Sequence, residues 1–296
     1  MLKIPPKVEF HDSMKASYNY DRGFVENDKY WERARQNYED YFLTASESSG
    51  DYRIPRIIHQ IWLGGELPQK YKKWTESWKT HHPDWEYHLW TDDKLEGIEM
   101  QCEKVFRETR NYGPKSDILR YELLNQFGGL YIDTDFECFR PFDYLHQKVD
   151  FYAGIEFGKE LNTTTSIIAS APGHPIIKDL LDSMDRPVIS DNSEEIHEVT
   201  GPWAFSRTYR AHIFDAGYRN MLMPTGYFFP FPNNKLHIQN EKKILAFRRE
   251  ESMAMHYWEV SWLNRRNFLR RTISRCLRYI PADFKLKIKK ALGRPV

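Results

Sequence analysis

The chain has 296 residues, of which 41% are hydrophobic and 29% are charged, and its formal net charge is +1. This composition is typical of a globular protein, and the length allows one large α/β domain or two small ones. A net charge so close to zero argues against nucleic acid as a partner of the whole chain.

The cysteine pattern and the apolar stretches exclude several other classes of protein. The chain has three cysteines, Cys102, Cys138 and Cys276, and no Cys-x-x-Cys pair. This pattern argues against a disulfide framework or a structural zinc site and favours a reducing cytoplasm. No window approaches the ~18 apolar residues of a membrane-spanning helix, and the first residues contain no apolar signal region.

The alternation of apolar and polar residues predicts a series of helices and strands in chain order. They are a helix near residues 27–42, a strand at 56–62, a helix at 69–80, a strand at 85–90, a helix at 115–127, strands at 130–132, 151–156 and 164–169, a helix after Pro175, and a late strand containing His256. Because strands and helices alternate at βαβ spacing through residue 185, we expect an α/β fold with a mostly parallel central sheet.

We expect the chain to consist of three parts. Residues 1–52 are polar and Tyr-rich and include a Ser-rich run at 46–50 that is typical of a linker, which predicts a small N-terminal helical extension. Residues 53–263 are expected to form the α/β domain. Residues 264–296 are expected to form a basic amphipathic tail.

Two aspartates directly follow the short apolar strand at 130–132. The carboxylates of Asp133 and Asp135 leave that strand together and repel one another unless a cation lies between them. A hard divalent ion such as Mg²⁺ or Mn²⁺ takes oxygen ligands and also bridges to phosphates. In open α/β sheets, ligands bind beyond the carboxyl ends of the strands, where this pair falls. Alone, the pair is a weak signal, because Asp-x-Asp is common in solvated turns.

The helix that precedes this strand strengthens the interpretation. It ends at Gly128-Gly129, which is a typical helix stop. It carries Asp117, Arg120 and Tyr121 at positions i, i+3 and i+4, so the three side chains share one helical face. A polar face so close to the paired aspartates is placed to hold a donor sugar.

The combined pattern resembles a known family. The run Ser116-Asp117-x-x-Arg120-Tyr121, followed by Gly128-Gly129-x-Tyr131-x-Asp133-x-Asp135, is similar to the Asp-x-Asp motif of the sugar transferases of glycosyltransferase family 32. The clostridial glucosylating toxins share the same core pattern. Shorter similar segments lie at residues 54–62, 82–87, 140–141, 171–175, 200–203 and 256–262, so the resemblance covers roughly residues 54–262.

The resemblance implies a GT-A type, Rossmann-like fold and a retaining, metal-dependent glycosyltransferase. By match to the motif, Asp133 and Asp135 bind the metal or the donor, and Asp117 and Arg120 hold sugar hydroxyls and phosphate. These four residues are therefore the expected catalytic set.

The resemblance also implies further contacts with the nucleotide sugar. The opening strand, with His59, Trp62 and Gly64, is expected to line the nucleotide pocket, although core packing explains Trp62 about equally well. Tyr121 shares the donor-sugar face of its helix. Asn162 lies where the family places an asparagine that faces the donor sugar.

Late residues complete the expected site. His256 lies in an apolar run, where a histidine is usually a core residue, but in related folds a late histidine completes the metal shell, and imidazole suits Mn²⁺. Ser261 and Trp262 match a closing motif that contacts the diphosphate, the alternative for Ser261 being a helix cap. Glu156 ends the strand at 151–156 and is interpreted as a solvated turn residue rather than as a group that stabilises charge at the anomeric carbon.

The predicted function is the transfer of a hexose from a nucleotide sugar to a glycan or a lipid-linked oligosaccharide, in the synthesis of a bacterial capsule or surface polysaccharide. A UDP-sugar is favoured as the donor and GDP-mannose is an alternative. Two rival functions remain, a toxin-like effector that glycosylates a host protein and a non-catalytic sugar-binding or scaffold protein. The intact motif argues against the second rival.

The basic tail predicts a further partner. From Arg265 onward the chain has 11 Lys or Arg residues and one acidic residue, Asp283. Apolar residues fall near helical spacing between the arginines, which is typical of an interfacial helix on anionic lipid. The alternative is a helix packed on the acidic remainder of the chain. We therefore expect a cytoplasmic protein that is peripheral on the inner face of the cell membrane.

Deleting residues 265–296 is expected to abolish binding to anionic lipid vesicles, because each basic residue near such a surface contributes ~1 kcal/mol. Co-sedimentation of the full and shortened chains with vesicles measures this difference. Neutral vesicles are the control, and equal binding of both chains to anionic vesicles contradicts the prediction.

Overall fold

The structure is a computed structural model, and it describes residues 3–45, 50–157 and 161–259. Residues as far as Trp258 form one compact unit. Among the helices of the described ranges, none is long and apolar enough to cross a membrane. The predicted tail, residues 264–296, lies outside the described residues, and the predicted boundary at residue 52 stays a prediction.

A six-stranded sheet forms the centre of this unit. Its spatial order is β2-β1-β3-β6-β5-β7, and its strands are β1 (Ile57–Ile61), β2 (Glu86–Trp90), β3 (Gly129–Ile132), β5 (Phe151–Phe157), β6 (Asn162–Ser170) and β7 (Asn220–Met223). β6 is antiparallel to both of its neighbours, and the other three pairings are parallel. Five of the six strands therefore run in one direction, which confirms the predicted mostly parallel sheet.

Two short strands form a second, smaller sheet. β4 (Phe136–Cys138) and β8 (Ala254–His256) pair antiparallel, with Phe136 opposite His256. The late strand with His256 was predicted, whereas β4 was not, because three residues next to an aspartate pair carry too little periodicity to reveal a strand.

Helices cover the sheets and the N-terminal side of the unit. They are α1 (Phe10–Met14), α2 (Arg22–Asn27), α3 (Lys29–Tyr38), α4 (Gln69–His81), α5 (Glu103–Glu108), α6 (Tyr112–Phe127), α7 (Asp143–Lys148), α8 (Pro175–Asp182), α9 (Ser193–Val199), α10 (Pro202–His212), α11 (Thr225–Phe228) and α12 (Glu241–Leu245).

The helix predicted near residues 27–42 begins at Lys29, after Asp28, and continues beyond α3 as a π-helical turn over Glu39–Leu43. Asp28 has extended backbone, and its carboxylate caps α3 by accepting from the N–H groups of Tyr30 and Trp31. Asn37 of α3 donates a hydrogen bond of 2.9 Å to the carbonyl of Asn220 in β7. The N-terminal helices therefore pack directly on the edge of the central sheet.

The turn between α6 and β3 needs both of its glycines. Gly128 and Gly129 have φ angles of 63° and 98°, in the left-handed region that favours glycine. A Cβ atom on Gly129 would lie 2.6 Å from the carbonyl oxygen of Ile57 in β1. The absence of a Cβ atom on Gly129 therefore lets β3 approach β1 closely. Together the two glycines end α6 and connect it to β3 without a longer loop.

Buried histidines tie several of these elements together in neutral form. In His82 one ring nitrogen donates to the Trp78 carbonyl while the other accepts the Phe142 N–H. His146 likewise donates to the carbonyl of Ile54, and its second nitrogen accepts the hydroxyl of Tyr152. Burial lowers the pKa of His82 to about 4 and that of His146 to about 3. Both rings must take up a proton when the chain unfolds in mild acid.

The contribution of these two histidines to the free energy of unfolding is therefore expected to fall as the pH drops below 6.5. A histidine with a lowered folded pKa stabilises the fold fully above its unfolded pKa, and this contribution is lost toward the folded pKa, at up to ~1.4 kcal/mol per pH unit. Replacing His146 by Gln should lower the number of protons taken up on unfolding by about one between pH 6.5 and 4.5. The slope of the free energy of unfolding against pH should fall accordingly. Urea unfolding at several pH values measures the slope.

The exposed His88, replaced by Gln, is the control for this measurement because its side chain is 44% exposed. A slope in the His146→Gln variant equal to that of the unchanged protein would show that His146 is not held neutral in the fold.

Candidate donor and metal site

Arg120 lies at the centre of the candidate site. It projects from α6, and its Nη1 donates a 2.5 Å hydrogen bond to the carbonyl of Thr165 in β6. Its Nη2 lies 3.1 Å from a carboxylate oxygen of Asp117 and 3.7 Å from one of Asp133. The guanidinium also lies over the ring of Tyr131, 4.3 Å from the ring centre. One buried cation therefore joins α6, β3 and β6.

Asp117 faces the same place and is held from a second side. The hydroxyl of Thr200, just before α10, donates a 2.9 Å hydrogen bond to its carboxylate. Burial raises the pKa of Asp117 to about 6, while Arg120 and Thr200 act in the opposite direction. Tyr121 lies beside it, but its hydroxyl donates to the backbone carbonyl of Thr200 at 3.0 Å. In this structure Tyr121 therefore braces the loop before α10.

Asp133 follows β3 and is the more open of the paired aspartates, with its side chain 31% exposed. Its N–H donates to the carbonyl of Ser166 across the sheet, 2.9 Å away. The Tyr131 hydroxyl donates to its carboxylate over 2.5 Å. Burial raises the pKa of Asp133 against the lowering effect of Arg120. No role was predicted from the sequence for Tyr131, which lies two residues earlier on the same face of the strand. Its place in the motif and the two-residue period of a strand could have indicated this contact with Asp133.

Asp135 and His256 meet through the small β4–β8 sheet. The Nε2 atom of His256 lies 3.1 Å from each carboxylate oxygen of Asp135. The imidazole stacks on the ring of Phe136, with the ring centres 4.4 Å apart. Burial opposes protonation of His256, but the carboxylates of Asp135 and Asp133 outweigh it and raise the pKa of the imidazole.

These three side chains offer a donor set for a divalent cation. One ligand atom from each of Asp133, Asp135 and His256 lies within 4.8 Å of the others, and no second group of this kind occurs in the ranges 3–45, 50–157 and 161–259. The Nδ1 atom of His256 is buried and has no hydrogen-bond partner among the described residues. Two carboxylates with one imidazole suit Mn²⁺ or Mg²⁺. The donor set therefore fits the metal that the sequence implied.

The predicted nucleotide-pocket residues lie at and beyond β1. His59 is buried, and its ring donates to the Gly128 carbonyl at 2.9 Å while accepting from the indole of Trp90 at 3.1 Å. Both of its nitrogens are thus engaged within the protein. Trp62 packs on Tyr71, with ring centres 4.9 Å apart. Their part in nucleotide binding stays a prediction.

Gly64 occupies a position where a side chain does not fit. Its φ angle is 86°, and an added Cβ would lie 2.5 Å from the ring of Tyr112 at the start of α6. Its N–H donates to the carboxylate of Asp92 at 2.8 Å. The loop that leaves β1 is therefore packed against the beginning of the helix that carries Asp117 and Arg120.

Of the remaining predicted residues, some lie in the described part of the chain and some lie outside it. Asn162 is the first residue of β6. Ser261 and Trp262 lie outside the described residues. The interpretation of Glu156 as a solvated turn residue is wrong, because it belongs to β5 and accepts a 3.0 Å hydrogen bond from Asn233. The environment of Glu156 could not be predicted from the sequence, because β5 contains register shifts and Asn233 is distant in the chain.

The fold and the site together indicate the class of this protein. A mostly parallel sheet with paired aspartates beyond β3 has the GT-A architecture that the sequence predicted. Residues 68–152 match the family described as the glycosyltransferase sugar-binding region containing the DXD motif. This match over residues 68–152 confirms the resemblance seen in the sequence.

Several curated proteins are similar to this chain over about half of its length. Inositol phosphoceramide mannosyltransferase 1 of Schizosaccharomyces pombe is 28% identical over 162 residues, which are 50% of each chain. Mannosyl phosphorylinositol ceramide synthase SUR1 of Saccharomyces cerevisiae is 32% identical over 44% of this chain and 35% of its own. Subversion of eukaryotic traffic protein A of Legionella pneumophila is 28% identical over 51% of this chain and 28% of its own. The chain spans half or less of the length of these relatives.

Solved structures with a similar arrangement include a glycosyltransferase and the catalytic domain of a toxin. The PaToxG glycosyltransferase superposes with a TM-score of 0.44 at 17% identity, covering 67% of this chain and 78% of its own. The catalytic domain of the α-toxin from Clostridium novyi has a TM-score of 0.46 at 10% identity, covering 94% and 98%.

Replacing Arg120 by Met is expected to lower the free energy of unfolding by ~3–5 kcal/mol, because it leaves the buried carboxylate of Asp117 without its cation. Chemical denaturation measures the loss. Arg107→Met is the control, since Arg107 also pairs with an acidic residue of its own helix, Glu103, but its side chain is 74% exposed. If both variants lost the same small amount, Arg120 would not be the buried link described above.

Proposed function

We propose that this protein is a metal-dependent, retaining glycosyltransferase that moves a hexose from a nucleotide sugar to a glycan or a lipid-linked acceptor. The observation that carries the proposal is the convergence of Asp133, Asp135 and His256 within 4.8 Å, next to the buried Arg120. The family match over residues 68–152 supports a sugar donor rather than another phosphate compound.

The site residues have different roles in donor binding. Asp133, Asp135 and His256 would hold the divalent cation, which supplies charge neutralisation at the diphosphate leaving group. Asp117 would accept hydrogen bonds from the donor-sugar hydroxyls. Arg120 holds Asp117 and Asp133 in place and contributes positive charge near the diphosphate. These groups are preorganised by the fold, which is the largest source of catalytic stabilisation in many enzymes.

The reaction course that we propose keeps the configuration of the sugar. The bond between the anomeric carbon and the diphosphate oxygen breaks, and the sugar acquires oxocarbenium character. The acceptor hydroxyl then attacks the face that the diphosphate has left, and the hydroxyl proton passes to the departing diphosphate. Burial of Asp117 and Arg120 at this point excludes water that would otherwise compete with the acceptor.

The donor sugar that we propose is a hexose, with mannose placed first. The sequence favoured a UDP-sugar, with GDP-mannose as the alternative. The names of the yeast relatives, which are mannosyltransferases, support mannose instead. UDP-glucose, UDP-galactose and GDP-mannose are therefore the three donors to compare.

The acceptor and the location are the finer parts of the proposal. The names of the same relatives refer to an inositol phosphoceramide, which supports a lipid head group over a capsular polysaccharide. A lipid acceptor would suit the predicted attachment of residues 264–296 to an anionic membrane surface at the inner face of the cell membrane.

The donor is identified by thermal unfolding in the presence of Mn²⁺ and each nucleotide sugar. A ligand that binds only the native state stabilises it by about 2.7 kcal/mol at a concentration of 100 times its Kd. We expect GDP-mannose to raise the melting temperature more than the two UDP-sugars, and only when Mn²⁺ is present. Stabilisation that is independent of Mn²⁺ would contradict the metal-dependent part of the proposal.

Asp133→Ala is expected to abolish sugar transfer and to weaken Mn²⁺ binding while the fold stays intact. The reason is that Asp133 is a partly exposed ligand whose side chain is not part of the core. Calorimetric titration with Mn²⁺ and donor turnover are measured together, with circular dichroism for the fold. Asp84→Ala, which changes an exposed aspartate, is the control. Near-normal turnover of Asp133→Ala would rule out the metal assignment.

A further inference from the structure

A small cavity lies beside the metal-binding histidine. The indole of Trp258 packs on His256, with ring centres 4.2 Å apart, and also forms part of the cavity wall. The cavity has a volume of about 10 Å³, which is close to the space one water molecule or one hydroxyl group occupies. A ligand could therefore place a single polar group in this cavity while the rest of it lies outside.

Polar groups converge on this cavity. Glu156 of β5 lines it together with Asn233, whose amide donates to the glutamate carboxylate at 3.0 Å. Ser17 lines it from the N-terminal segment and is only 6% exposed. The Ser17 hydroxyl oxygen has no hydrogen-bond partner among the described residues. An unsatisfied buried hydroxyl costs about 1–3 kcal/mol, so it marks a place where a further polar group belongs.

The geometry of Trp258 keeps this cavity next to the metal site. Its φ angle is 59°, in the left-handed region that non-glycine residues rarely adopt. The indole N–H donates to the carbonyl of Phe231 at 2.7 Å, which helps to hold the residue in this conformation. The same ring therefore contacts both the imidazole of His256 and the cavity.

The position of the cavity in the fold separates it from the donor residues. Asp117, Arg120, Asp133 and Asp135 all lie within residues 68–152, the part that matches the family's sugar-binding region. The cavity-lining residues Ser17, Tyr18, Glu156, Asn233 and Trp258 all lie outside that part. In the sheet, β5 is separated from β3 by the reversed strand β6. The cavity is thus close to His256 but is built by different elements, as a site for the second substrate would be.

The chemistry of the lining restricts the ligand. The Glu156 carboxylate and the Ser17 hydroxyl suit a neutral hydroxyl group, which can both donate and accept, whereas a phosphate would be repelled by the carboxylate. Tyr18 also lines the cavity and is 43% exposed, so its ring offers an apolar face outside. Aromatic rings of this kind present large, rigid contact surfaces to ring-shaped ligands.

We propose that this cavity, lined by Ser17, Tyr18, Glu156, Asn233 and Trp258, is the acceptor subsite. It takes one hydroxyl of a neutral cyclic polyol, a sugar or an inositol ring, and the ring of that polyol lies against Tyr18. The assignment rests on the proposed transferase function for its catalytic meaning, but binding of the polyol can be measured without it. The N-terminal segment thereby contributes directly to substrate recognition.

Saturation-transfer NMR with methyl α-D-mannopyranoside and myo-inositol tests the subsite, in the presence of GDP and of Mg²⁺, which is diamagnetic and leaves the ligand signals sharp. We expect at least one of the two polyols to bind. Tyr18→Ala and Glu156→Gln should each weaken that binding at least fivefold, and mannose 6-phosphate should bind more weakly than the neutral polyols. Tyr218→Ala is the matched control, because Tyr218 is exposed to a similar degree, 40%, but packs on His174 instead.

Ser17→Ala separates recognition from simple packing. If the hydroxyl contacts the ligand, this variant binds the polyol at least fivefold more weakly; if it is only an unsatisfied core group, stability rises and binding is unchanged, which would overturn its role in the subsite. Absence of polyol binding by the unchanged protein overturns the whole proposal.

Donor turnover measured in parallel keeps the two proposals apart. A protein that consumes a nucleotide sugar with Mn²⁺ but binds neither polyol retains the proposed function and loses the subsite. A protein that binds a polyol through Tyr18 and Glu156 but consumes none of the three donors retains the subsite and loses the proposed function. With an active donor, the subsite variants should raise the KM for the polyol at least fivefold relative to the KM for the donor.

Discussion

The candidate site depends on one buried positive charge, the guanidinium of Arg120. A charge removed from water has to be paired and hydrogen-bonded, and here its partners come from three different elements. Asp117 belongs to α6, Asp133 follows β3, and the Thr165 carbonyl belongs to β6. The hydrogen bonds and ion pairs of Arg120 therefore fix how α6 lies on the sheet. They also bring the carboxylates of Asp117 and Asp133 together at the carboxyl end of β3.

The second constraint is the way in which distant segments close around that point. Asp135 and His256 are far apart in the chain and are joined only because β4 and β8 pair in the small sheet. On the other side, the loop before α10 reaches Asp117 through the hydroxyl of Thr200. The carboxylates come from residues 117–135, which are close together in the chain. The imidazole of His256 and the hydroxyl of Thr200 reach these carboxylates only through long-range contacts.

This division explains how much the sequence could reveal. The long helix α6, the strand β3 and the aspartate pair were predictable because apolar periodicity and a glycine stop are local signals. The strands β4 and β7, the bond from Thr200 to Asp117 and the environment of Glu156 were not, because each depends on residues that meet only in the folded chain. His59 shows the same limit within a motif, since its two ring nitrogens are engaged by Gly128 and Trp90.

The pairing of β4 with β8 also has a consequence for the order in which this protein is made. A nascent chain that has emerged only as far as β7 already contains both aspartates and Arg120, but it lacks the imidazole and leaves the backbone of β4 without its partner strand. Contacts over such sequence distances form late in folding because closing a long loop costs entropy. The donor set of Asp133, Asp135 and His256 is therefore complete only after synthesis has passed residue 256.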